Sequence, residues 1–430
     1  MAVALACAQP ATTLCKKEGT LMSAIGKHMM IAFAALTIET AVTAAPISPP
    51  TLADGFVPTA AEKKRLELMS QPESWFVDHL AGPREIIDGQ TLNPKLQFHF
   101  EARRARSLEE VKRGLDMFYS AEGRTLARER LARDWALLTK VTAPMRHVED
   151  RSITGRGGHL IPIRIYTPAL DEAGPLPILL YFHGGGWLYS NIEAVDRCVR
   201  LIANEARAIV ISVDYRLAPE HKWPAANDDG EDAFLWARAN AATLGGEPSM
   251  IGVGGDSAGG HISLAISRRQ QAARKPGPLY QLLYYTSVDF TPRYRSYELF
   301  GKGYGLDTAF RDFMMPLAFG DADRIASATR ELDEGSMAGM PATILVTAGF
   351  DVLRDPAQLL ARRLEREGVA VTYLNYPTLT HGFLQWSGVV AEAERAAVDS
   401  ARLFGTAIRG RSAVLSIKAP GSQSKQLNKE

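Results

Sequence analysis

The sequence predicts an α/β fold in which a mostly parallel sheet is covered by helices on both faces. Two observations indicate it: short apolar runs recur along residues 161–376, and helix-like segments separate them. A strand buried on both faces has a continuous apolar run, and a parallel neighbour needs a crossover connection that is usually a helix. In such a sheet a functional site is expected at the carboxyl ends of the strands, where the loops converge.

Strands are predicted from runs of apolar or alternating residues, at residues 161–166, 177–182, 208–213, 251–254, 282–286, 342–347 and 369–376. Helices are predicted where charged and apolar residues interleave. Those between the strands cover residues 194–206, 225–242, 261–273, 356–367 and 389–408. Those before the first strand cover residues 60–69, 96–104, 108–119 and 125–138, and Pro94 and Gly123 are expected to separate helices.

Residues 291–335 interrupt this alternation, because they are rich in Tyr, Phe, Met and Gly and contain no clear strand. We expect them to pack with the N-terminal helices as a cap above the site, with Phe76, Phe313 and Met314 as candidates for the pocket wall. The predicted organisation is a signal peptide at 1–44, a linker and N-terminal helical cap at 45–140, the first part of the core at 141–290, a cap insertion at 291–335, the second part of the core at 336–410 and a disordered tail at 411–430.

The composition excludes several classes of partner. The chain has 430 residues, 46% of them hydrophobic, and a net charge of +1, so nothing favours nucleic acid. No motif for zinc or for a nucleotide phosphate occurs, and we expect no cofactor. No apolar run is long enough for a stable membrane span. The expected partner is a small molecule, and the expected state is a monomer or homodimer. Cys198 is predicted to be a packed helix residue.

The N-terminus has the order of a secretory signal. Basic residues precede the apolar run Met29–Ile38, and small residues at Val42 and Ala44 suit cleavage after Ala44. This pattern predicts a periplasmic or secreted protein. The alternative is a cytoplasmic protein with an N-terminal extension, whose translation starts at Met22 or Met29.

The stretch Gly255-Asp256-Ser257-Ala258-Gly259 lies between a predicted strand and a predicted helix. A Gly-x-Ser-x-Gly sequence in this setting is typical of a nucleophile elbow, in which small neighbours let the backbone close into a sharp turn that exposes the serine. We therefore predict that Ser257 is a nucleophile.

A glycine run, His183-Gly184-Gly185-Gly186-Trp187, follows the strand that ends at Phe182. Without Cβ atoms in the way, backbone N–H groups can turn toward a substrate oxygen and stabilise the oxyanion of a tetrahedral intermediate. We predict that Gly185 and Gly186 are donors of such an oxyanion hole, together with the N–H of Ala258.

A serine nucleophile needs a general base, and the base needs a carboxylate that orients it. Only His261 and His381 follow Ser257 in the chain. His261 lies in the helix of the elbow and is expected to pack, which leaves His381 as the base. Asp351 and Asp355 follow the preceding strand, and both are candidates for the acid; Asp351 is nearer the strand end.

The motifs together resemble the hormone-sensitive-lipase family of α/β-hydrolases, the bacterial family IV esterases. They are His183 to Trp187, Asp214 to His221, Gly255 to Gly260, Asp351 to Asp355 and His381 to Phe383. The resemblance implies an α/β-hydrolase fold with an eight-stranded sheet and a helical cap, and it favours Asp351 as the acid. We also expect supporting roles for Asp256 and Glu220, and we interpret the segment 215–220 as a structural brace near the elbow.

The function that the sequence predicts is that of a serine carboxylesterase. It would hydrolyse short- to medium-chain acyl esters with Ser257, His381 and Asp351. Three alternatives within the hydrolases, amide, lactone or carbamate cleavage, would use the same machinery. A fourth alternative is a non-catalytic ligand-binding receptor on the same fold, but known examples of such receptors have lost the histidine that this chain has as His381.

Overall fold

A computed structural model describes residues 56–410 except 107, 143, 171–173 and 291–293. The signal peptide expected at 1–44 and the tail expected at 411–430 lie outside this part of the chain, so both stay predictions. Among the residues described, no helix combines the length and apolar character needed to cross a bilayer.

The main sheet has eight strands, as the resemblance implied. A short hairpin, β1 (Ile86–Ile87) and β2 (Gln90–Thr91), precedes it in the chain. The strands of the main sheet are β3 (Met145–Thr154), β4 (Leu160–Pro168), β5 (Leu176–Phe182), β6 (Ile209–Val213), β7 (Gly246–Asp256), β8 (Tyr280–Tyr284), β9 (Ala342–Phe350) and β10 (Val371–Thr380). Their spatial order is β10-β9-β8-β7-β5-β6-β4-β3.

The pairs β3–β4 and β4–β6 are antiparallel. The other five pairs, β6–β5, β5–β7, β7–β8, β8–β9 and β9–β10, are parallel. The parallel register aligns the ends of the strands: Phe182 pairs with Gly255, and Phe350 pairs with Thr380. The segments that follow these strands therefore meet at one edge of the sheet, which is where the predicted site residues lie.

The core has two halves, one on each face of the sheet. In β5, Leu179 and Tyr181 point into one half, whereas Leu180 and Phe182 point into the other, because successive strand residues alternate in direction. All of β5 is buried, so its uninterrupted apolar sequence has a direct physical reason.

The helices divide between the faces of the sheet and the cap. Those before the main sheet are α1 (Ala60–Met69), α2 (Glu73–Asp78), α3 (Pro94–Arg104), α4 (Leu108–Asp116) and α5 (Ala121–Leu138). Those between the strands of the core are α6 (Ile192–Ala206), α7 (Ala225–Asn240) and α8 (Ala258–Ala272). The remaining helices are α9 (Arg295–Phe300), α10 (Thr308–Ala318), α11 (Ala322–Asp333), α12 (Arg354–Arg366) and α13 (Ala391–Arg409).

Two residues expected to separate helices lie inside them instead. Pro94 is the first residue of α3, where its missing N–H costs nothing and its fixed φ suits the helix. Gly123 lies in the first turn of α5, and its N–H donates to the hydroxyl of Ser120 at 3.0 Å. Strand β3 was not predicted, because its burial is low and its sequence is largely polar.

The cap consists of α1–α5 and α9–α11, and its two parts are in contact. The rings of Phe118 and Phe313 meet edge to face with centroids 6.2 Å apart. Within the N-terminal part of the cap, Arg133 binds Glu62 at 2.7 Å. The Lys95 ammonium anchors this part to the core, because it donates to the carbonyl of Val389 at 2.7 Å.

Candidate active site

Ser257 lies between β7 and α8, with φ 53° and ψ −115°. A non-glycine residue at positive φ stores strain of about 1–3 kcal/mol, which the surrounding structure must compensate. Gly259 is what lets the turn close, because a Cβ there would overlap the carbonyl of Phe182. The N–H of Ser257 donates to the carbonyl of Tyr284 at 2.9 Å. The turn thus fixes the serine at the carboxyl edge of the sheet.

His381 joins Ser257 and Asp351 in a continuous chain of hydrogen bonds. Its Nε2 is 2.9 Å from the Ser257 Oγ, and its Nδ1 is 2.8 Å from an Asp351 carboxylate oxygen. An ionised carboxylate can only accept, so Nδ1 carries the proton and Nε2 is free to accept the serine proton. The other oxygen of Asp351 accepts from the N–H of Leu353 at 2.9 Å, which fixes the carboxylate.

The structure separates the two candidate acids. Asp351 is 2% exposed and faces His381. Asp355 instead accepts from the N–H of Ser296 at 2.8 Å and from the adjacent Arg354 at 2.8 Å, so it ties α9 of the cap to α12.

His261 packs, as expected. It is fully buried, and its ring contacts Trp187 and Phe290 at centroid distances of 5.3 and 5.5 Å. Burial lowers the pKa of His261 to about 4, so the ring is neutral at physiological pH.

The glycine loop after β5 lies beside the elbow. Gly185 has φ 115°, and a Cβ there would overlap the carbonyl of Tyr189, so no other residue fits. Within the described residues, the N–H groups of Gly185 and Gly186 donate to no acceptor. Ala258 begins α8, where a backbone N–H also has no partner in the helix. These are the properties that an oxyanion hole requires.

Asp256 holds this loop against the elbow. One of its oxygens accepts from the N–H of Gly184 at 2.9 Å and from the Tyr181 hydroxyl at 2.7 Å. The other is 3.4 Å from Gln385, which follows His381 in the chain. Burial raises the pKa of Asp256, although the hydrogen bonds from Tyr181, Gly184 and Gln385 act in the opposite direction.

The segment 215–220 contacts the glycine loop, which lies beside the elbow. The Tyr215 hydroxyl donates to the carbonyl of His183 at 2.7 Å, and the two rings stack 4.3 Å apart. The Ala218 N–H donates to the carbonyl of Trp187 at 2.8 Å. Burial lowers the pKa of His183 to about 4, although its hydrogen bond to Gly184 acts in the opposite direction.

Glu220 connects the same segment to the cap. It binds Arg124 and Arg128 of α5 at 2.7 and 2.9 Å, and Arg128 also donates to the carbonyl of Leu188 in the glycine loop. Partial burial acts to raise the pKa of Glu220, but the two arginines and its own backbone lower it to about 2.

Tyr285 is a site residue that the sequence did not reveal. It follows β8 with φ 33°, its ring centroid is 4.9 Å from that of His381, and its hydroxyl is 3.4 Å from Asp256. Its sequence neighbours give no signal, because it lies at the end of an ordinary apolar strand. Tyr181 had a weak signal, because its hydroxyl is the one polar side-chain group in the apolar strand β5.

The cap residues expected in the pocket wall have different places. Phe76 is fully buried against Phe98 and does not face a pocket. Met314 packs directly against Gly186 of the glycine loop, and Phe313 is half-buried beside Phe118. In the part of the chain that the structure describes, no cluster of His, Cys, Asp or Glu could hold a metal ion.

Comparison with known proteins agrees with this architecture. A family model described as alpha/beta hydrolase fold matches residues 179–385. Carboxylic ester hydrolase LipN of Mycobacterium tuberculosis is 36% identical over 313 residues, which cover 71% of this chain and 80% of that protein. Ethyl acetate hydrolase of Pseudomonas putida is 34% identical over 257 residues, covering 58% of this chain and 80% of that protein.

Solved structures are similar over the same region. An α/β hydrolase enzyme from the metagenome of Lake Arreo, Spain, has 31% identity and a TM-score of 0.66, with 75% of this chain and 98% of that chain covered. An esterase from the archaeon Pyrobaculum calidifontis has 32% identity and a TM-score of 0.62, with 66% of this chain and 93% of that chain covered.

Proposed function

Because this chain belongs to the hormone-sensitive-lipase family of α/β-hydrolases and is a serine ester hydrolase, we propose that it is a carboxylesterase in which Ser257, His381 and Asp351 form the catalytic triad. The observation that carries the assignment is the pair of hydrogen bonds that His381 makes, one to the Ser257 hydroxyl and one to the Asp351 carboxylate.

In the first half-reaction, the Ser257 Oγ attacks the ester carbonyl while His381 Nε2 takes its proton. The imidazolium that forms is stabilised by Asp351, whose fixed carboxylate also keeps the proton on Nδ1. His381 then gives the proton from Nε2 to the leaving alkoxide, and the alcohol departs. The acyl group stays on Ser257 as an ester.

The negative charge that develops on the carbonyl oxygen must be stabilised for the barrier to this step to fall. The N–H groups of Gly185, Gly186 and Ala258 would donate to that oxygen, and the loss of one such donor typically costs about 3–4 kcal/mol of transition-state stabilisation. Because the loop is held by Asp256 and Tyr215, the donors need little reorganisation during the reaction.

In the second half-reaction, His381 activates a water molecule that attacks the acyl-enzyme. The acid leaves, and the proton returns to Ser257. The overall reaction consumes one ester and one water and yields one acid and one alcohol.

Short- to medium-chain acyl esters are the proposed substrates. Two features support this choice: one relative is an ethyl acetate hydrolase, and Met314 of the cap packs directly on the glycine loop, which narrows the space beside the scissile carbonyl.

A panel of p-nitrophenyl esters from acetate to palmitate, assayed beside aryl amides, tests the proposal. We expect turnover of the shorter esters and none in Ser257→Ala or His381→Ala. Ser267→Ala is the matched control, because it removes a buried hydroxyl of α8, the helix that follows Ser257. Among the described residues, this hydroxyl donates only to the Ser263 carbonyl. A phosphonate inhibitor should label Ser257, as detected by peptide mass spectrometry.

The alternatives have distinct outcomes. Faster turnover of amides, lactones or carbamates than of any ester would replace the carboxylesterase assignment by that reaction. No turnover of any activated ester by folded wild-type protein would revive the ligand-binding receptor.

A further inference from the structure

The turn after β8 is joined to the backbone of the proposed nucleophile on both sides. The Tyr284 carbonyl accepts from the Ser257 N–H at 2.9 Å, and the Ser287 N–H donates to the Ser257 carbonyl at 3.3 Å. Tyr285 lies between these two contacts, and its own N–H donates to the carbonyl of Val346 in β9 at 2.7 Å. The backbone of Tyr285 is therefore held in a fixed position relative to Ser257.

The side chain of Tyr285 reaches from this turn to the loop of the proposed base. It is 1% exposed, and its ring centroid lies 4.9 Å from the centroid of the His381 ring. The Phe383 ring, on the same loop as His381, meets the Tyr285 ring edge to face at 4.9 Å. Closely packed rings cannot move independently of each other. The orientation of His381 toward Ser257 is therefore tied to the position of Tyr285.

The hydroxyl of Tyr285 lies where two neighbouring loops are held together. It is 3.4 Å from an Asp256 carboxylate oxygen and 3.4 Å from the side-chain oxygen of Gln385. The side-chain nitrogen of Gln385 is 3.4 Å from the same Asp256 oxygen, so three polar groups converge at one point. Burial raises the pKa of Tyr285 well above its usual value, and Asp256 acts in the same direction, so the hydroxyl keeps its proton and can donate.

The backbone conformation of Tyr285 is unusual for a residue with a large side chain. Its φ is 33°, in the left-handed region that bulky residues rarely adopt. Glycine adopts such a conformation without steric cost, so the chain has a strained tyrosine where a smaller residue would suit the backbone better. Strained residues persist where the surrounding structure compensates for them, and they cluster at active sites. The strain thus indicates a functional role for the side chain.

We propose that Tyr285 is a positioning residue for the base. Its ring holds the His381 imidazole in line with the Ser257 hydroxyl. Its hydroxyl ties the base loop to Asp256, the residue that also holds the glycine loop. Tyr285 acts through these residues and is not a member of the triad. The proposal rests on the esterase function proposed above.

The test compares two esters that have the same acyl group, p-nitrophenyl butyrate and ethyl butyrate. p-Nitrophenolate can leave without a proton, whereas ethoxide needs the proton that His381 donates from Nε2. A misplaced base should therefore impair hydrolysis of the ethyl ester more. In Tyr285→Leu, which removes the ring, we expect kcat/KM to fall about 10-fold for the p-nitrophenyl ester and about 100-fold for the ethyl ester.

Two milder variants test the hydroxyl. Tyr285→Phe keeps the ring, so it should lose less than about 10-fold on either ester and recover most of the activity lost in Tyr285→Leu. Gln385→Leu removes the amide that faces the same hydroxyl. The double variant should lose less than the product of the two single losses, because both changes break one shared contact. This coupling can be measured even if Tyr285→Leu does not fold.

Tyr166→Phe is the matched control. Tyr166 is also buried, and its hydroxyl donates to the Asp196 carboxylate at 2.8 Å. It pairs with Val210 near the start of β6, at the end of the sheet away from Ser257. Its kcat/KM should equal that of wild-type protein for both esters. Thermal unfolding of each variant shows whether it is folded at the assay temperature.

The possible failures are distinguishable. If wild-type protein hydrolyses both esters and Tyr285→Leu loses the same factor on each, or loses nothing, the positioning role is wrong while the esterase stands. Independent losses in the double variant would show that the hydroxyl does not join the two loops. A loss in Tyr166→Phe as large as that in Tyr285→Phe would make the effect one of any buried hydroxyl, which also overturns the role. If wild-type protein hydrolyses neither ester, the proposed function itself fails.

Discussion

The carboxylate of Asp256 accepts a hydrogen bond from the Gly184 N–H at 2.9 Å, so the residue before the proposed nucleophile holds the first glycine of the proposed oxyanion loop. The same oxygen binds the Tyr181 hydroxyl. One buried side chain thereby fixes the relative position of two loops that follow different strands.

Replacement of Asp256 by Ala should loosen that loop and leave two buried donors without an acceptor. We expect kcat for a p-nitrophenyl ester to fall about 10²-fold, and the free energy of unfolding to fall by about 2–4 kcal/mol. Asp256→Asn keeps one carbonyl oxygen for Gly184 and Tyr181, so it should lose much less of both. Kinetics and chemical denaturation of the two variants measure the difference; equal losses would contradict the anchoring role.

Gly259→Ala should prevent the elbow from closing, because the added Cβ would overlap the carbonyl of Phe182. We expect a loss of more than about 4 kcal/mol of stability, or no soluble protein. Gly114→Ala is the control: it adds the same methyl group in α4, where nothing lies within 4 Å, and should be neutral or stabilising. Thermal unfolding reports both, and an active, normally stable Gly259→Ala protein would show that the elbow is mistaken.

Replacement of each of the two aspartates after β9, Asp351 and Asp355, should have a different effect. Asp351→Asn should lower kcat by about 10⁴-fold, because the amide would favour the wrong tautomer of His381. Asp355→Asn should keep near-normal kcat and lose about 1–2 kcal/mol of stability, since it weakens only the contacts to Ser296 and Arg354. Single-turnover kinetics and denaturation separate the two; the opposite pattern would transfer the acid role to Asp355.

Glu220 should contribute to stability in a pH-dependent way. Its pKa is lowered from 4.5 to about 2 in the folded protein, so the stabilisation is complete above the unfolded pKa and is lost as the pH falls from about 4.5 toward 2. In Glu220→Gln this part of the acid destabilisation should disappear. Denaturation midpoints from neutral pH down to about pH 3 test it, and parallel curves for the two proteins would refute it.

The proposed nucleophile, the glycine loop and the positions of most strands could be predicted because their signals are local in the sequence. A Gly-x-Ser-x-Gly turn needs small residues at fixed positions beside the serine, and a strand buried on both faces needs a continuous apolar run. Gly259 and β5 meet these requirements within a few consecutive residues. Helix α1 was predicted with its observed bounds from its interleaved charged and apolar residues, which are likewise adjacent in the chain.

The residues next to Asp351 and Asp355 in the sequence do not distinguish which of the two is the proposed acid. Both follow β9, and only the packing of the turn shows that one faces His381 and the other Ser296. The role of Glu220 depended in the same way on α5, which precedes it by more than 80 residues.

Sequence alone predicted seven of the eight strands of the main sheet, the turn around Ser257, and the proposed nucleophile and base, because the signals for these features lie in residues that are neighbours along the chain. Tertiary structure decided what surrounds them: the placement of Tyr285 beside His381 and the hydrogen bond from Gly184 to Asp256. These relationships join residues from separate elements. Their geometry follows from how helices and strands pack, and no periodicity or motif in the sequence records it.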